Sequence, residues 1–323
     1  MILEIFVALS VVLLTIVFNY RRKRLTRAFE NSYVIITGCD SGFGRLAAER
    51  FHRLGMHVFA GCLLDKSVKE LKESSTDRLV PFQLDIRKLS DIENLLQRIK
   101  RNIPDGQGLT GLINNAGISG SCGLIESLGS DQYLSTFRVN FFGMVDVTKT
   151  LMPLLRKGKG RIINTSSVGG KLAAPFTTPY LTTKYAIESY SDSLRRELYH
   201  DDISVHIIEP GMFKTGILNK GSLEVCSIKN FENLPSESKE FYGIDMITKT
   251  IKNIDTGIAD ADTNFGKVVD AYQHALTSPY PKIRYKVGIH SWILIPMANY
   301  LPEWLMDMII GLQFPKPART MEK

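Results

Sequence analysis

From Ser32 onward the chain alternates two hydrophobic periods. Short apolar runs ("YVIIT", "HVFAGC", "LVPFQLD", "LTGLINNAG", "GRIINTSS", "ISVHIIEPG") take turns with longer amphipathic ones ("GRLAAERFHRLG", "SVKELKES", "LSDIENLLQRIKRN", "DQYLSTFRVNFFGMVDVTKTLMPLLRKG", "PYLTTKYAIESYSDSLRRELYHD"). Strand and helix periods alternating in this way build βαβ units around a parallel sheet. Right-handed crossovers then collect the strand C-termini on one edge, where ligands sit at the point of strand-order reversal. The expected fold is α/β, a Rossmann-type doubly wound parallel sheet, with an N-terminal membrane anchor helix and an apolar helical C-terminal extension. At 323 residues the chain is long enough for one large domain of this kind.

The turn after the first run carries glycines at 38, 42 and 44, in "YVIITGCDSGFGR". A glycine-rich turn between strand and helix lets the backbone approach a pyrophosphate, and the helix N-terminus attracts its charge. The spacing is not G-x-G-x-x-G, so taken alone it also admits a tight turn without ligand. Two further segments fall on the same sheet edge in chain order. "LINNAG", Leu112 to Gly117, closes the fourth apolar run, and "SSVGGKLAAPFTTPYLTTK" follows the fifth with Ser166, Ser167, Tyr180 and Lys184. Tyr180 and Lys184 stand at i and i+4 and share a helix face. An adjacent cation favours phenolate and lowers a tyrosine pKa from its ordinary value near ~10, which makes the pair a general acid/base unit. In isolation Y-x-x-x-K is also what a solvated pair on any helix would show.

Before Ser32 lies "MILEIFVALSVVLLTIVF", whose only charge is Glu4, followed by Arg21, Arg22, Lys23, Arg24 and Arg27. Those five cations account for most of the formal net charge of +7, and without them the balance is +2. The basicity is therefore local, flanks an apolar segment, and does not suggest nucleic acid. The charges follow the apolar run and no small-residue cleavage site does, unlike a secretory signal peptide. An uncleaved membrane anchor over residues 1–20 is expected, with a basic linker 21–31 and everything downstream on the cytosolic side. The four cysteines, Cys39, Cys62, Cys122 and Cys226, are widely spaced, so neither a metal site nor a disulfide framework is suggested.

Past Gly211 the regularity lapses into a mixed, polar stretch at 216–243 that reads as a lid or substrate loop. Helical patterns return at "GIDMITKTIKNI" and "FGKVVDAYQHALTS", and "IRYKVG" is a short strand candidate. Residues 289–323 are strongly apolar, with Pro302 opening a helix that carries Leu305, Met308, Ile309 and Leu312 on one stripe. That stripe fits a core or homo-oligomer face, or a second contact with the bilayer.

The motifs "TGCDSGFG", "NNAG", "YLTTK" and "EPGMFKT" resemble those of the short-chain dehydrogenase/reductase family. The anchor with its basic flank, "ITGCDSGFGR", "VNFFGMVDVTKTLMPLLRKGKGRIINTSSVGGK" and "HALTSPYPKIRY" are similar to its membrane-bound retinol and hydroxysteroid dehydrogenases. The likeness covers about residues 32–288 as a dinucleotide-binding catalytic domain. It implies that Tyr180 exchanges the hydroxyl proton, Lys184 lowers its pKa and holds the nicotinamide ribose, Ser167 bonds the reacting oxygen, and Asn140 anchors a water leading to solvent. It implies a cofactor bed from Gly38, Ser41, Gly42, Phe43 and Gly44, with Asp85 at the adenine and Asn114, Ala116 and Gly117 on the adenosine side. Pro210, Gly211, Phe213 and Thr215 would meet the nicotinamide.

An acid closing the second strand would bind the ribose 2′-OH of NAD, and a nearby arginine would accept the 2′-phosphate of NADP. Here the strand ends near Cys62, with Asp65 three residues on and no clear cation, which favours NAD over NADP. The expectation is a membrane-anchored oxidoreductase acting with NAD on a lipophilic alcohol, a steroid or retinoid, at the endoplasmic reticulum membrane. Three alternatives stay open: an NADPH-dependent carbonyl reductase, a 3-hydroxybutyrate-type dehydrogenase, and a non-catalytic dinucleotide-binding sensor or scaffold.

Overall fold

A strand buried on both faces needs apolar side chains pointing both ways, and the first apolar run supplies them. In the computed structural model, which describes Phe29 and residues 32–73, 77–216 and 220–319, every residue of β1 (Tyr33–Thr37) is buried. Val34 and Ile36 enter one core, and Tyr33 and Ile35 enter the other. The remaining strands are β2 (His57–Cys62), β3 (Leu79–Gln83), β4 (Gly111–Asn114), β5 (Arg161–Thr165), β6 (Ser204–Pro210) and β7 (Arg284–Val287). They form one seven-stranded sheet in the order β3-β2-β1-β4-β5-β6-β7, every pair parallel. Strand order reverses between β1 and β4, so the crevice of a doubly wound sheet opens there, above the strand C-termini.

The helices before β6 are α1 (Gly42–Arg53), α2 (Asp65–Glu73), α3 (Leu89–Asn102), α4 (Ser130–Phe137), α5 (Met144–Gly158) and α6 (Thr178–Glu197). Helices α4 and α5 are joined by a π-helical turn, Arg138–Gly143. After β6 come α7 (Lys220–Glu232), α8 (Ser236–Tyr242), α9 (Ile244–Ala259) and α10 (Gly266–Thr277), and after β7 α11 (Ile289–Tyr300) and α12 (Glu303–Gly311). One core packs Ala47 and Phe51 of α1 and Val268, Tyr272 and Ala275 of α10 against the sheet. The opposite core uses Leu95 and Ile99 of α3, Leu151 and Leu155 of α5, and Leu194 of α6.

The stretch expected as a loop at 216–243 holds two helices, α7 and α8. The inner side of α7 mixes Leu223 and Phe231 with buried Ser227 and Asn230, whose polar atoms reach Cys122. That mixture blurs the apolar period by which a helix is read. The helix opened by Pro302 forms, but it turns Met306 inward and leaves Met308 and Leu312 exposed. The apolar run Met1–Phe18, read as an anchor, lies outside the described residues, and among those described no helix is long and apolar enough to cross a membrane.

β7 is clasped to α6 by a half-buried ionic cluster. Arg284 pairs with Glu188, with Asp192 at 2.8 Å and with Glu209 at 3.0 Å, and Lys171 reaches Glu188 at 3.4 Å. Burial drives the carboxyl of Glu209 up to about 7. The cluster ties the helix that carries Tyr180 and Lys184 to the edge of the sheet.

Candidate active site

The three glycines after β1 have separate physical causes. Gly38 has φ +71°, and a Cβ there would lie 2.7 Å from Ala116 Cα, so the chain can turn only without a side chain. Gly44 sits in the first turn of α1 where a Cβ would meet the Gly38 carbonyl oxygen at 2.3 Å and Asn115 Nδ2 at 2.5 Å. Gly42 (φ +59°) differs, because the nearest atom to its missing side chain, Thr215 Cγ2, is 3.9 Å away. Two glycines thus close the turn and the third leaves open space at the N-terminus of α1. Ser41 at the N-cap makes no side-chain bond to the helix, so the first-turn amides keep their capacity for an anion.

The end of β4 holds this turn in place. Thr37 Oγ1 accepts the backbone N–H groups of Asn115 and Ala116, both at 3.1 Å. Asn115 Nδ2 returns bonds to the carbonyls of Thr37 (2.9 Å) and Gly38 (3.0 Å), and the Tyr272 hydroxyl donates to its Oδ1 at 3.1 Å. Between these walls runs a groove of about 270 Å³ bordered by Gly38, Ser41, Gly42, Phe43, Asp85, Ala116, Gly117 and Thr215. Asp85 is fixed by Arg87 through Nε (2.8 Å) and Nη2 (2.7 Å), a pairing that holds its carboxyl below the usual range.

Other expected cofactor residues stand elsewhere. Asn114 is buried, and its Nδ2 donates to Asn164 Oδ1 (2.8 Å) and Thr148 Oγ1 (3.0 Å), so it braces β4 against β5 and α5 behind the groove. Asp65 opens α2, pairs with Lys69 at 2.6 Å and does not border the groove. The carboxylate beside the end of β2 is that of Asp40, which accepts the backbone N–H groups of Leu63 and Leu64 at 2.9 Å each and does border it. Reading along the chain for an acid after β2 misses Asp40, because it arrives from the glycine turn across the sheet. Phe213 is 3% exposed and meets Phe43 edge-on at 5.3 Å, supporting the groove from behind. Gly211 lies under α11, where a Cβ would stand 2.9 Å from His290 Cβ, and Pro210 is buried at the end of β6.

Next to Gly117 at the groove, Ser167, Tyr180, Lys184 and Asn140 converge. The Ser167 hydroxyl stands close enough to the Tyr180 phenol to favour its charged form, and it accepts the Gly169 N–H at 3.1 Å. Ser166 is turned away, toward the Lys184 carbonyl. Lys184 is buried, with Nζ 2.9 Å from the Thr165 carbonyl oxygen and 5.4 Å from the Tyr180 ring centroid. Asn140, in the π-helical turn, accepts the Ile118 N–H at 2.8 Å and donates to the Ile118 carbonyl (2.9 Å) and Thr183 Oγ1 (3.1 Å). π-helical turns of this sort are frequent at functional sites.

The expected electrostatics of the pair are corrected here. The phenol of Tyr180 is raised rather than lowered, because burial penalises phenolate by more than the nearby Ser167 hydroxyl relieves it. Burial also lowers Lys184, to about 8. The ammonium faces the ring and the Thr165 carbonyl, which is why its charge acts weakly on the phenol oxygen.

Beside Tyr180, Phe176 takes φ +76°, a costly conformation for an aromatic residue. Its carbonyl accepts the Gly123 N–H at 2.8 Å, and its ring packs with Phe231 of α7, Leu234 between α7 and α8, and Ile247 and Ile251 of α9. Nothing in the sequence around Phe176 signals this conformation.

Comparison with known proteins agrees with this geometry. The model of the short chain dehydrogenase family matches residues 32–224. The chain is 36% identical over 302 residues to human 17-beta-hydroxysteroid dehydrogenase type 6, covering 94% of this chain and 95% of that one. It is equally 36% identical to rat retinol dehydrogenase 16, over 94% and 95% of the two chains. In fold it is similar to a Burkholderia phymatum short chain dehydrogenase/reductase solved in complex with NAD (TM-score 0.67, 21% identity, 91% and 99% covered). It is likewise similar to a Burkholderia cenocepacia short chain dehydrogenase in complex with NADP (TM-score 0.66, 20% identity, 87% and 98% covered).

Proposed function

The chain belongs to the short-chain dehydrogenase/reductase family of oxidoreductases, and on that premise we propose that it oxidises a lipophilic alcohol, a steroid or retinoid, with NAD. The observation that carries this is the grouping of Ser167, Tyr180, Lys184 and Asn140 next to Gly117 of the groove, where a Cβ would lie 3.3 Å from Asn140 Oδ1 and 4.0 Å from Lys184 Nζ. The groove suits a dinucleotide. A Cβ-free space at Gly42 and the amides of α1 would hold a diphosphate, Asp85 would face the adenine end, and the backbone at Ala116 and Gly117 leaves room for an extended ligand. NAD held there would supply the hydride acceptor for the carbinol carbon.

The protein's own residues do the rest. Ser167 would hold the substrate hydroxyl against Tyr180, which reacts as the phenolate: it takes the hydroxyl proton and becomes the phenol as the carbinol carbon gives up its hydride. Lys184, beside the ring, would relay that proton from residue 180 toward solvent and so restore the phenolate. All of Asn140's observed side-chain bonds go to Ile118 and Thr183, so water would be held by its main chain, while its amide fixes the loop that leads past Gly117. Positioning of this kind is where most of the acceleration would arise.

Asp40 at the groove rim favours NAD, because its carboxylate would accept a ribose hydroxyl and repel a 2′-phosphate. The similarity to 17-beta-hydroxysteroid dehydrogenase type 6 and retinol dehydrogenase 16 supports a lipophilic substrate. The apolar, basic-flanked residues 1–27 support anchoring at the endoplasmic reticulum membrane with the catalytic domain facing the cytosol. The test is to incubate the purified full chain with NAD or NADP and a panel of steroids, retinols and 3-hydroxybutyrate, following reduced nicotinamide by absorbance. NAD-linked oxidation of a steroid or retinol is expected; turnover of 3-hydroxybutyrate alone would overturn the substrate class.

A further inference from the structure

Helices α11 and α12 are apolar on nearly every side, yet they bury little. α11 turns Ser291 and Ile295 inward and leaves Trp292 58% and Tyr300 84% exposed; α12 buries Met306 and leaves Trp304 67% exposed. Leu312 just beyond is 80% exposed. A helix that is apolar all round belongs inside a protein or a membrane, and large exposed patches mark contact surfaces.

The location is specific. α11 packs beside the turn Val168–Gly170 that follows Ser167, and a Cβ on Gly211 would strike His290 at its start. After α12 the chain runs back along the lid. Asn253 of α9 donates to the Gln313 carbonyl at 2.8 Å, and Ala318 N bonds the Tyr242 carbonyl at 3.1 Å. The patch therefore lies between the catalytic turn and the lid helices.

Its chemistry selects the occupant. Trp and Tyr prefer the boundary between hydrocarbon and headgroups, where an amphipathic ring satisfies both sides. Lys286 sits with Nζ 5.8 Å from the Trp292 ring centroid, and Lys316 is exposed just past α12 together with Glu303 and Asp307 of that helix, so the apolar bodies carry a rim of both charges that suits a zwitterionic headgroup layer. The apolar, basic-flanked N-terminal sequence already predicts that this chain is held at a bilayer.

We infer that α11 and α12 form a monotopic docking face that lies in the lipid headgroup boundary and opens the substrate mouth toward the bilayer. This deepens the lipophilic-alcohol reading and rests on it for its purpose. A water-insoluble alcohol then enters the site from the membrane without crossing water, and the lid helices exchange their apolar cover against lipid rather than solvent.

The two tryptophans of the chain, Trp292 and Trp304, both lie on this face, so intrinsic tryptophan fluorescence reports on it alone. The full chain is reconstituted into phosphatidylcholine–phosphatidylserine vesicles whose acyl chains carry bromine near the glycerol end. An interfacial helix sinks about 5–10 Å into the headgroup boundary, so a loss of roughly half or more of the emission is expected. Bromine near the methyl end should quench less. Trp292→Gln and Trp304→Gln then follow each helix separately. Unquenched emission from vesicle-bound protein overturns the inference, and if emission is instead shifted by dilution and cross-linking traps dimers, the face is a contact between two copies. Quenching without oxidation of any lipophilic alcohol would leave the docking face standing and remove the substrate reading. Oxidation with no quenching would do the reverse.

Discussion

Replacing Gly44 by alanine tests the physical origin of the dinucleotide groove. The added Cβ would stand 2.3 Å from the Gly38 carbonyl oxygen and 2.5 Å from Asn115 Nδ2, both parts of the turn itself. To make room, Asn115 must give up its bonds to the carbonyls of Thr37 and Gly38, now 2.9 and 3.0 Å long. Each bond is worth about 1 kcal/mol net, and overpacking costs about 1–3 kcal/mol. Alanine returns up to ~1 kcal/mol in helix propensity, leaving a destabilisation of about 2–4 kcal/mol. At roughly 2–4 °C per kcal/mol for a chain of this size, Tm falls by about 4–16 °C. Because the displaced atoms line the groove, NAD affinity should fall at least about tenfold, equivalent to 1.4 kcal/mol. Gly106→Ala is the control: φ is +88° there but nothing lies within 4 Å, so it should cost some stability and leave affinity alone. Calorimetric melting and NAD titration measure both quantities. A Gly44→Ala protein with unchanged Tm and NAD affinity would refute the steric reasoning.

Two further outcomes follow from single side chains. Asp40→Ser removes the carboxylate at the groove rim while keeping a short polar group, and the ratio of kcat/KM with NADP to that with NAD should rise by about tenfold or more; an unchanged ratio in steady-state assays would place cofactor choice elsewhere. His206 donates through Nδ1 to the Lys282 carbonyl (2.7 Å) and accepts from the Ser204 hydroxyl through Nε2 (2.8 Å), so it is neutral in the fold. Burial lowers it from 6.5 to about 4. Its contribution is complete above the unfolded value and is lost as acid protonates the unfolded chain first, to about 3 kcal/mol at the bottom of that window. Urea unfolding of wild type and His206→Gln between neutral and about pH 4.5 should show the difference shrinking with acid. Comparing the two proteins cancels Glu209, whose raised carboxyl stabilises below about 4.5 and fades as pH rises toward 7. A constant difference would mean that His206 does not titrate as described.

What could be read along the chain and what could not divide by range. β1, α1, α3, α6 and β7 follow from local period and turn chemistry, and the grouping of Tyr180 with Lys184 follows from helical spacing. Asp40 is not found by reading along the chain, because its relation to the end of β2 exists only across the sheet; at the end of β4 adjacent residues point to opposite sides, Asn115 toward the groove and Asn114 into the polar brace with Asn164. The direction of the Tyr180 shift was not legible either. Spacing places the ammonium beside the phenol, but burial of both groups outweighs their mutual charge. Inward-facing Ser227 and Asn230 hide α7 from a reading of apolar period, and α8 buries no residue at all, so no such period marks it.

The most direct measurement is turnover by Tyr180→Phe, which keeps the ring and its packing and removes one hydroxyl. With cofactor affinity unchanged by titration, kcat/KM for the oxidised alcohol should drop about 10²–10⁴-fold, the usual worth of a positioned acid/base group. Turnover at the wild-type rate would contradict proton exchange through residue 180.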